Sequence, residues 1–307
     1  HLVEHHAEVL SHYFGLSADD DSVPDAVAPS HDAMPVSTGE MAIVGMACRF
    51  ADAKTPDELW QNLVDGRSSI HPLSADRWQR KESEQATGAT RWGALIEDVE
   101  YFDAAFFGLS EDEAMLNDPQ ERLVTQALYH ALQHAGIRAD KLRGSRTGLF
   151  LGYEYAEYEH YLRKNLHRMA TAPVFSSSSP IYYLANRISF LYDFNGPSEV
   201  VNASCASSGL AIHRACQSLA QGECDLAICG GVSLNLFAGD YAAISHYGLL
   251  SPDGSCAVFD DNANGFTRGE GLGLLVLKRL EDAEEDNSRI FAKIIATHQN
   301  NRGRASF

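Results

Sequence analysis

The residue best suited to nucleophilic chemistry is Cys205, in the run Val200-Val201-Asn202-Ala203-Ser204-Cys205-Ala206-Ser207-Ser208-Gly209-Leu210. A β-rich stretch passes through small residues into 210–220, where Ala, Ile, Leu and Cys dominate. Small side chains permit a sharp strand-to-helix turn that sets Cys205 at the N-terminus of a buried helix. There the helix dipole favours the thiolate, the form that attacks a thioester. Backbone N–H groups at the same corner are placed to receive a developing oxyanion. The competing reading is that a cysteine among Ala and Ser is a small buried hydrophobe, as such residues commonly are. Residue types alone leave both open.

The other five cysteines have no such corner. Cys216, Cys224, Cys229 and Cys256 read as structural, and Cys48 lies in an apolar segment. Their spacing fits neither a zinc site nor a small disulfide scaffold. Reduced thiols and a cytoplasmic setting follow as the default. Asp and Glu outnumber Lys and Arg 42 to 24, a formal net charge of −18. That surface repels nucleic acid and anionic lipid. No apolar run reaches the roughly 18 residues of a membrane span, and the first residues lack the pattern of a signal peptide.

The elements that must hold Cys205 follow from periodicity. Residues 1–16 carry a helical stripe (Leu2, Val3, Val9, Leu10, Tyr13, Phe14), and 17–40 read as a linker rich in Asp, Pro, Ser and Ala. Strands are expected over 41–47, 147–153, 199–203, 225–229 (ended by Gly230-Gly231), 271–280 and 289–297. Helices are expected over 55–65, with Thr55 as N-cap and Pro56 at its first position, and over 118–135, stopped by Gly136. This alternation predicts an α/β fold with a largely parallel, doubly covered sheet.

These residues resemble the ketosynthase (beta-ketoacyl synthase) domains of modular polyketide synthases. The resemblance runs in order through Met41-Ala42-Ile43-Val44-Gly45-Met46-Ala47-Cys48-Arg49-Phe50, Ser74-Ala75-Asp76-Arg77-Trp78 and Asn117-Asp118-Pro119-Gln120-Glu121-Arg122-Leu123. The cysteine motif, Gly222-Glu223-Cys224-Asp225, Leu250-Ser251-Pro252-Asp253-Gly254 and Arg268-Gly269-Glu270-Gly271 follow. The resemblance implies a thiolase-like fold, with residues 41–307 as its N-terminal half plus the start of the C-terminal half, and a homodimer. It implies that Cys205 accepts an acyl chain from an acyl carrier protein, and that decarboxylative Claisen condensation with a malonyl-type extender follows. Phosphopantetheine belongs to the carrier, so the domain needs no cofactor of its own. Residues 1–16 weakly resemble the last helix of an upstream acyl carrier domain.

The family usually reads Asp-Thr-Ala-Cys-Ser-Ser-Ser where this chain reads Asn202-Ala203-Ser204-Cys205-Ala206-Ser207-Ser208. The two catalytic histidines that the resemblance implies are expected after Phe307, in a longer polypeptide. Of the histidines present, His298 and His213 read as structural, with His213 a satisfied core or interface residue, and His246 as ordering a loop. Three readings result: an elongating ketosynthase, a non-elongating one that only passes acyl chains through Cys205, and a structural dimerisation module or inactive fragment.

Overall fold

Apolar residues fill both faces of the first strand, so it belongs in the middle of a sheet. The computed structural model describes residues 39–74, 77, 91–165 and 183–301. The helix over 1–16 and nearly all of the 17–40 linker lie outside the described residues. Strand β1 (Met41–Phe50) leads into helix α1 (Pro56–Val64), which is capped as its sequence dictates. The Thr55 hydroxyl accepts the Glu58 N–H at 3.2 Å, and Pro56 opens the first turn.

A short hairpin of β2 (His71–Pro72) and β3 (Trp92–Gly93) precedes α2 (Glu111–Leu116). Helix α3 (Pro119–His134) starts at the Asp118 carboxylate, which accepts the Gln120 N–H at 2.8 Å, and Gly136 follows its end. Along α3, Leu123, Val124, Ala127, Leu128, Ala131 and Leu132 recur at helical spacing and all are buried. Truncating Leu128 to Ala would cost about 2–5 kcal/mol.

Strand β4 (Thr147–Tyr153) is buried throughout and is followed by α4 (Glu157–Asn165). Next come α5 (Tyr183–Tyr192), β5 (Ser198–Val201), α6 (Ser207–Ala220) and β6 (Leu226–Ser233). Helix α7 (Ala238–His246), β7 (Gly271–Arg279), α8 (Leu280–Glu285) and β8 (Ala292–Ile294) complete the described elements.

Six strands form one sheet in the order β5-β4-β6-β7-β1-β8. Alternation along each strand sorts the core into two layers. Leu149, Leu151, Ile228, Leu274 and Val276 pack with α3 and α5 on one face. Phe150, Ala227, Cys229 and Leu277 pack with Ala211, Ala215, Cys216 and Leu219 of α6 on the other.

Three expectations need correction. The sheet is mixed: β5, β4 and β6 are parallel, while β7, β1 and β8 alternate in direction. Helices join β4 to β5 and β5 to β6. Strand β7 arrives after the long passage 234–270 and enters from the opposite end. Second, β6 runs through Gly230-Gly231 to Ser233 instead of stopping there. Third, α6 is not a buried helix. Ala211, Ala215, Cys216 and Leu219 are covered, whereas Ser208 and Gly209 at its start are exposed.

Candidate active site

The chain leaves β4 on the face of α3 and α5 and returns as β5; it then leaves β5 on the opposite face as α6. Neighbouring strands whose outgoing connections part in this way leave a crevice at their carboxyl ends. Two residues stand there, Glu154 just after β4 and Cys205 after β5.

Cys205 sits one residue ahead of Ala206, the N-cap of α6. The turn that places it is held by its neighbours. Ser204 adopts φ +50, in the left-handed region. Its N–H donates to Asn202 Oδ1 at 3.1 Å, and the Asn202 amide donates to the Glu154 carbonyl at 3.0 Å. The Ser207 hydroxyl donates to the Ser204 carbonyl at 2.6 Å and accepts the Ala203 N–H at 2.9 Å. On its other side the Ser204 hydroxyl donates to Glu154 Oε1 at 2.8 Å, while Ser204 Oγ lies 3.8 Å from Cys205 Sγ.

The floor of the turn explains the missing side chains. Gly152 of β4 pairs with Gly231 of β6. A Cβ on Gly152 would stand 2.6 Å from the Ser207 carbonyl carbon and the Ser208 nitrogen, and one on Gly231 would stand 2.9 Å from Ser208 Cβ. Glycine at both positions lets the first turn of α6 descend onto the sheet. This is why Gly230-Gly231 continues the strand: the pair serves close approach, not termination.

Cys205 is exposed and lines an open cavity of about 850 Å³. Gly231, Cys48, Phe50 and the α1 residues Leu59 and Trp60 are among its apolar lining; Glu154, Ser204, Ser208, Ser233 and Asp57 are among the polar residues. A cavity of about 930 Å³ elsewhere is lined by His71, Arg77, Arg122 and Glu157 and holds no cysteine. Volume alone would favour it, but it offers no thiol.

The oxyanion expectation narrows here. The N–H groups of Ala206 and Ser207 already donate to the carbonyls of Ala203 (3.1 Å) and Ser204 (3.0 Å). The Cys205 N–H has no acceptor among the described residues.

Of the remaining thiols, Cys216, Cys224 and Cys229 are buried, while Cys48 and Cys256 are partly exposed. Burial pushes Cys216 up to about 11 and Cys229 well above the ordinary thiol range. Cys48 is raised to about 11, first by burial and then by the nearby Glu58 carboxylate. Cys256 Sγ accepts the Thr267 N–H at 3.1 Å.

His213 pairs with the Thr297 hydroxyl at 2.7 Å, and burial followed by the nearby His298 lowers its pKa. His298 is exposed and does not line the Cys205 cavity. His246 is the last residue of α7 and meets the Tyr247 ring edge-on, so it closes a helix and does not tie a loop. The cavity's described lining contains no histidine.

Sequence reasoning missed Glu154 and Cys48. Glu154 had a usable signal, as the first charged residue after an unbroken apolar strand aimed at the same end of the sheet as the cysteine.

Polar support lies behind the turn. The Tyr153 hydroxyl donates to Asp118 Oδ2 at 2.8 Å, and burial raises the Asp118 carboxyl. Burial also pushes Glu121 up to about 7, opposed by the Arg187 guanidinium 3.4 Å away. Glu270 is 4% exposed and accepts from Arg77 (2.6 Å), the Ile96 N–H (2.8 Å) and the Asn235 N–H (2.7 Å), tying three distant segments together.

Known proteins are similar to this chain. Two phenolphthiocerol/phthiocerol polyketide synthase subunits of Mycobacterium tuberculosis are similar to this chain. One is 40% identical over 274 residues, covering 87% of this chain and 18% of that protein. The other is 41% identical over 273 residues, at 87% and 14% coverage. The chain thus spans under a fifth of the length of these curated relatives. Among solved structures, the ketosynthase from module 6 of the bacillaene synthase of Bacillus subtilis 168 superposes with a TM-score of 0.77 at 36% identity, covering 87% of this chain and 45% of that one. The oxazolomycin ketosynthase domain of Streptomyces albus JA3453 gives 0.75 at 35% identity, covering 83% and 46%. The family model for the beta-ketoacyl synthase N-terminal domain matches residues 39–283. With its thiolase-like sheet and the cysteine turn described above, this chain belongs to the beta-ketoacyl synthase family and carries the N-terminal part of a ketosynthase domain.

Proposed function

We propose that Cys205 is the acyl-accepting nucleophile of a polyketide synthase ketosynthase. The supporting observation is the placement of its sulfur: exposed, ahead of α6, and opening on a cavity with an apolar wall. In the transfer, a Cys205 S–C bond forms as the carbonyl carbon loses its bond to the pantetheine sulfur, which leaves with the thiol proton. The Cys205 N–H is the oxyanion donor this chain offers. The phosphopantetheine arm comes with an acyl carrier protein, and an open cavity suits a thin, flexible arm.

Condensation follows acylation: a malonyl-type extender on a second carrier loses CO₂, and its carbon attacks the Cys205 thioester, releasing the cysteine thiol. In the family two histidines assist that step, and the described lining of this cavity holds none. Strand β5 is one edge of the six-stranded sheet, with β8 the other, and an unpaired edge favours pairing with a second copy in a homodimer. A cytoplasmic setting fits six free thiols. Among the described residues, no helix is long and apolar enough to cross a membrane.

The test is intact-protein mass spectrometry after incubation with an acyl-pantetheine thioester. An acyl adduct lost in Cys205→Ala is expected. An adduct that persists in that variant, or none in the wild type, overturns the proposal in favour of a structural module.

A further inference from the structure

We propose that Glu154 and Ser204 form a hydrogen-bond acceptor site for the acyl chain, selecting thioesters that carry a hydroxyl on the third carbon. This inference rests on Cys205 being the acylated residue.

The two side chains are arranged in series from the sulfur. Ser204 Oγ lies 3.8 Å from Cys205 Sγ, and its proton goes to Glu154 Oε1 at 2.8 Å. That hydrogen bond fixes the serine rotor, so the lone pairs of Oγ face away from the carboxylate. Glu154 Oε2 has no hydrogen-bond partner among the described residues. Both residues line the Cys205 cavity, whose remaining wall is largely apolar. Asn202 anchors the backbone beneath the pair, donating to the Glu154 carbonyl at 3.0 Å and accepting the Ser204 N–H at 3.1 Å.

An acyl group on Cys205 must leave the sulfur past this wall. A saturated chain would desolvate a carboxylate and return nothing, whereas a hydroxyl can donate to it. A hydroxyl on the third carbon clears the thioester carbonyl and can approach an acceptor two contacts from the sulfur. The same charge repels acyl chains that carry a carboxylate of their own.

The experiment uses the full-length native protein. Butanoyl-pantetheine and 3-hydroxybutanoyl-pantetheine compete for Cys205, and intact-protein mass spectrometry reads the ratio of the two adducts. A charge-assisted hydrogen bond predicts a preference of about tenfold or more for the hydroxyacyl group. In Glu154→Leu that preference falls to near unity. Glu154→Gln, which still accepts from Ser204 but presents an amide, serves as the conservative second variant and also loses most of it. Equal adducts in the wild type overturn the acceptor site and leave Cys205 as nucleophile intact. A preference retained in both variants also overturns it. No adduct from either thioester overturns the nucleophile assignment, and the acceptor site with it.

Discussion

Gly152 and Gly231 face each other across the β4–β6 ladder, and the backbone of Ser207 and Ser208 rests on the pair. The exposed sulfur of Cys205 therefore depends on two absent side chains in strands well separated in sequence. Gly152→Ala would put a methyl 2.6 Å from main-chain atoms that cannot turn aside. The expected outcome is a loss of about 1–3 kcal/mol in chemical denaturation, with slower alkylation of Cys205. Gly231→Ala meets a serine side chain at 2.9 Å and should cost less. Equal stability and reactivity in Gly152→Ala would contradict the close-approach argument.

Thiol reactivity should follow exposure. Cys205 is the exposed cysteine, while Cys216, Cys224 and Cys229 are buried and held protonated by desolvation. Iodoacetamide footprinting under native conditions is expected to label Cys205 first and Cys229 last. Labelling that begins at Cys48 or Cys256 would remove the support for a presented nucleophile.

Stability should decline between about pH 4.5 and 7. The Glu121 carboxyl is raised from 4.5 to about 7, chiefly by burial, with Asp118 acting in the same sense and Arg187 and Arg122 opposing. A carboxyl whose folded pKa is raised stabilises the fold most below its unfolded pKa, and that contribution is lost as pH rises through the folded value. The change should be on the order of 1–3 kcal/mol. Melting temperature followed against pH would show it, and Glu121→Gln should flatten the profile in that window. An unchanged slope in the variant assigns the titration elsewhere.

Glu270 is the costliest single side chain to remove near the site. Glu270→Ala leaves two backbone N–H groups and Nη2 of Arg77, whose side chain is only 14% exposed, without their acceptor. A destabilisation of about 3–5 kcal/mol is expected from equilibrium unfolding. Glu270→Gln, which keeps one acceptor oxygen, should recover part of it. A loss within experimental error of zero for the alanine variant would mean that water takes over these donors.

What could be read from the sequence was what local chemistry determines. Thr55-Pro56 marks the start of α1 and Asp118-Pro119 that of α3, because caps involve residues two or three apart. The cysteine turn is legible for the same reason. Long-range relationships are not. Nothing near Gly230-Gly231 says that a helix N-terminus lies above the pair, so it reads as a strand end. The antiparallel direction of β7 depends on the path of 234–270, not on its own residues. Ser204 departs from the family's usual residue beside the nucleophile. Its meaning requires Glu154, fifty positions earlier, to be brought beside it.

The sheet order also has a consequence for synthesis on the ribosome. Strand β1, near the start of the domain, pairs on one side with Gly271–Arg279 and on the other with Ala292–Ile294. At typical translation speeds, roughly 10–50 s pass between the emergence of this strand and that of either neighbour. Through that interval an apolar ten-residue segment has no ladder to join, while β4, β5 and β6 can already assemble around α5 and α6. The nascent chain must therefore hold Met41–Phe50 unpaired until residues more than two hundred positions later have emerged.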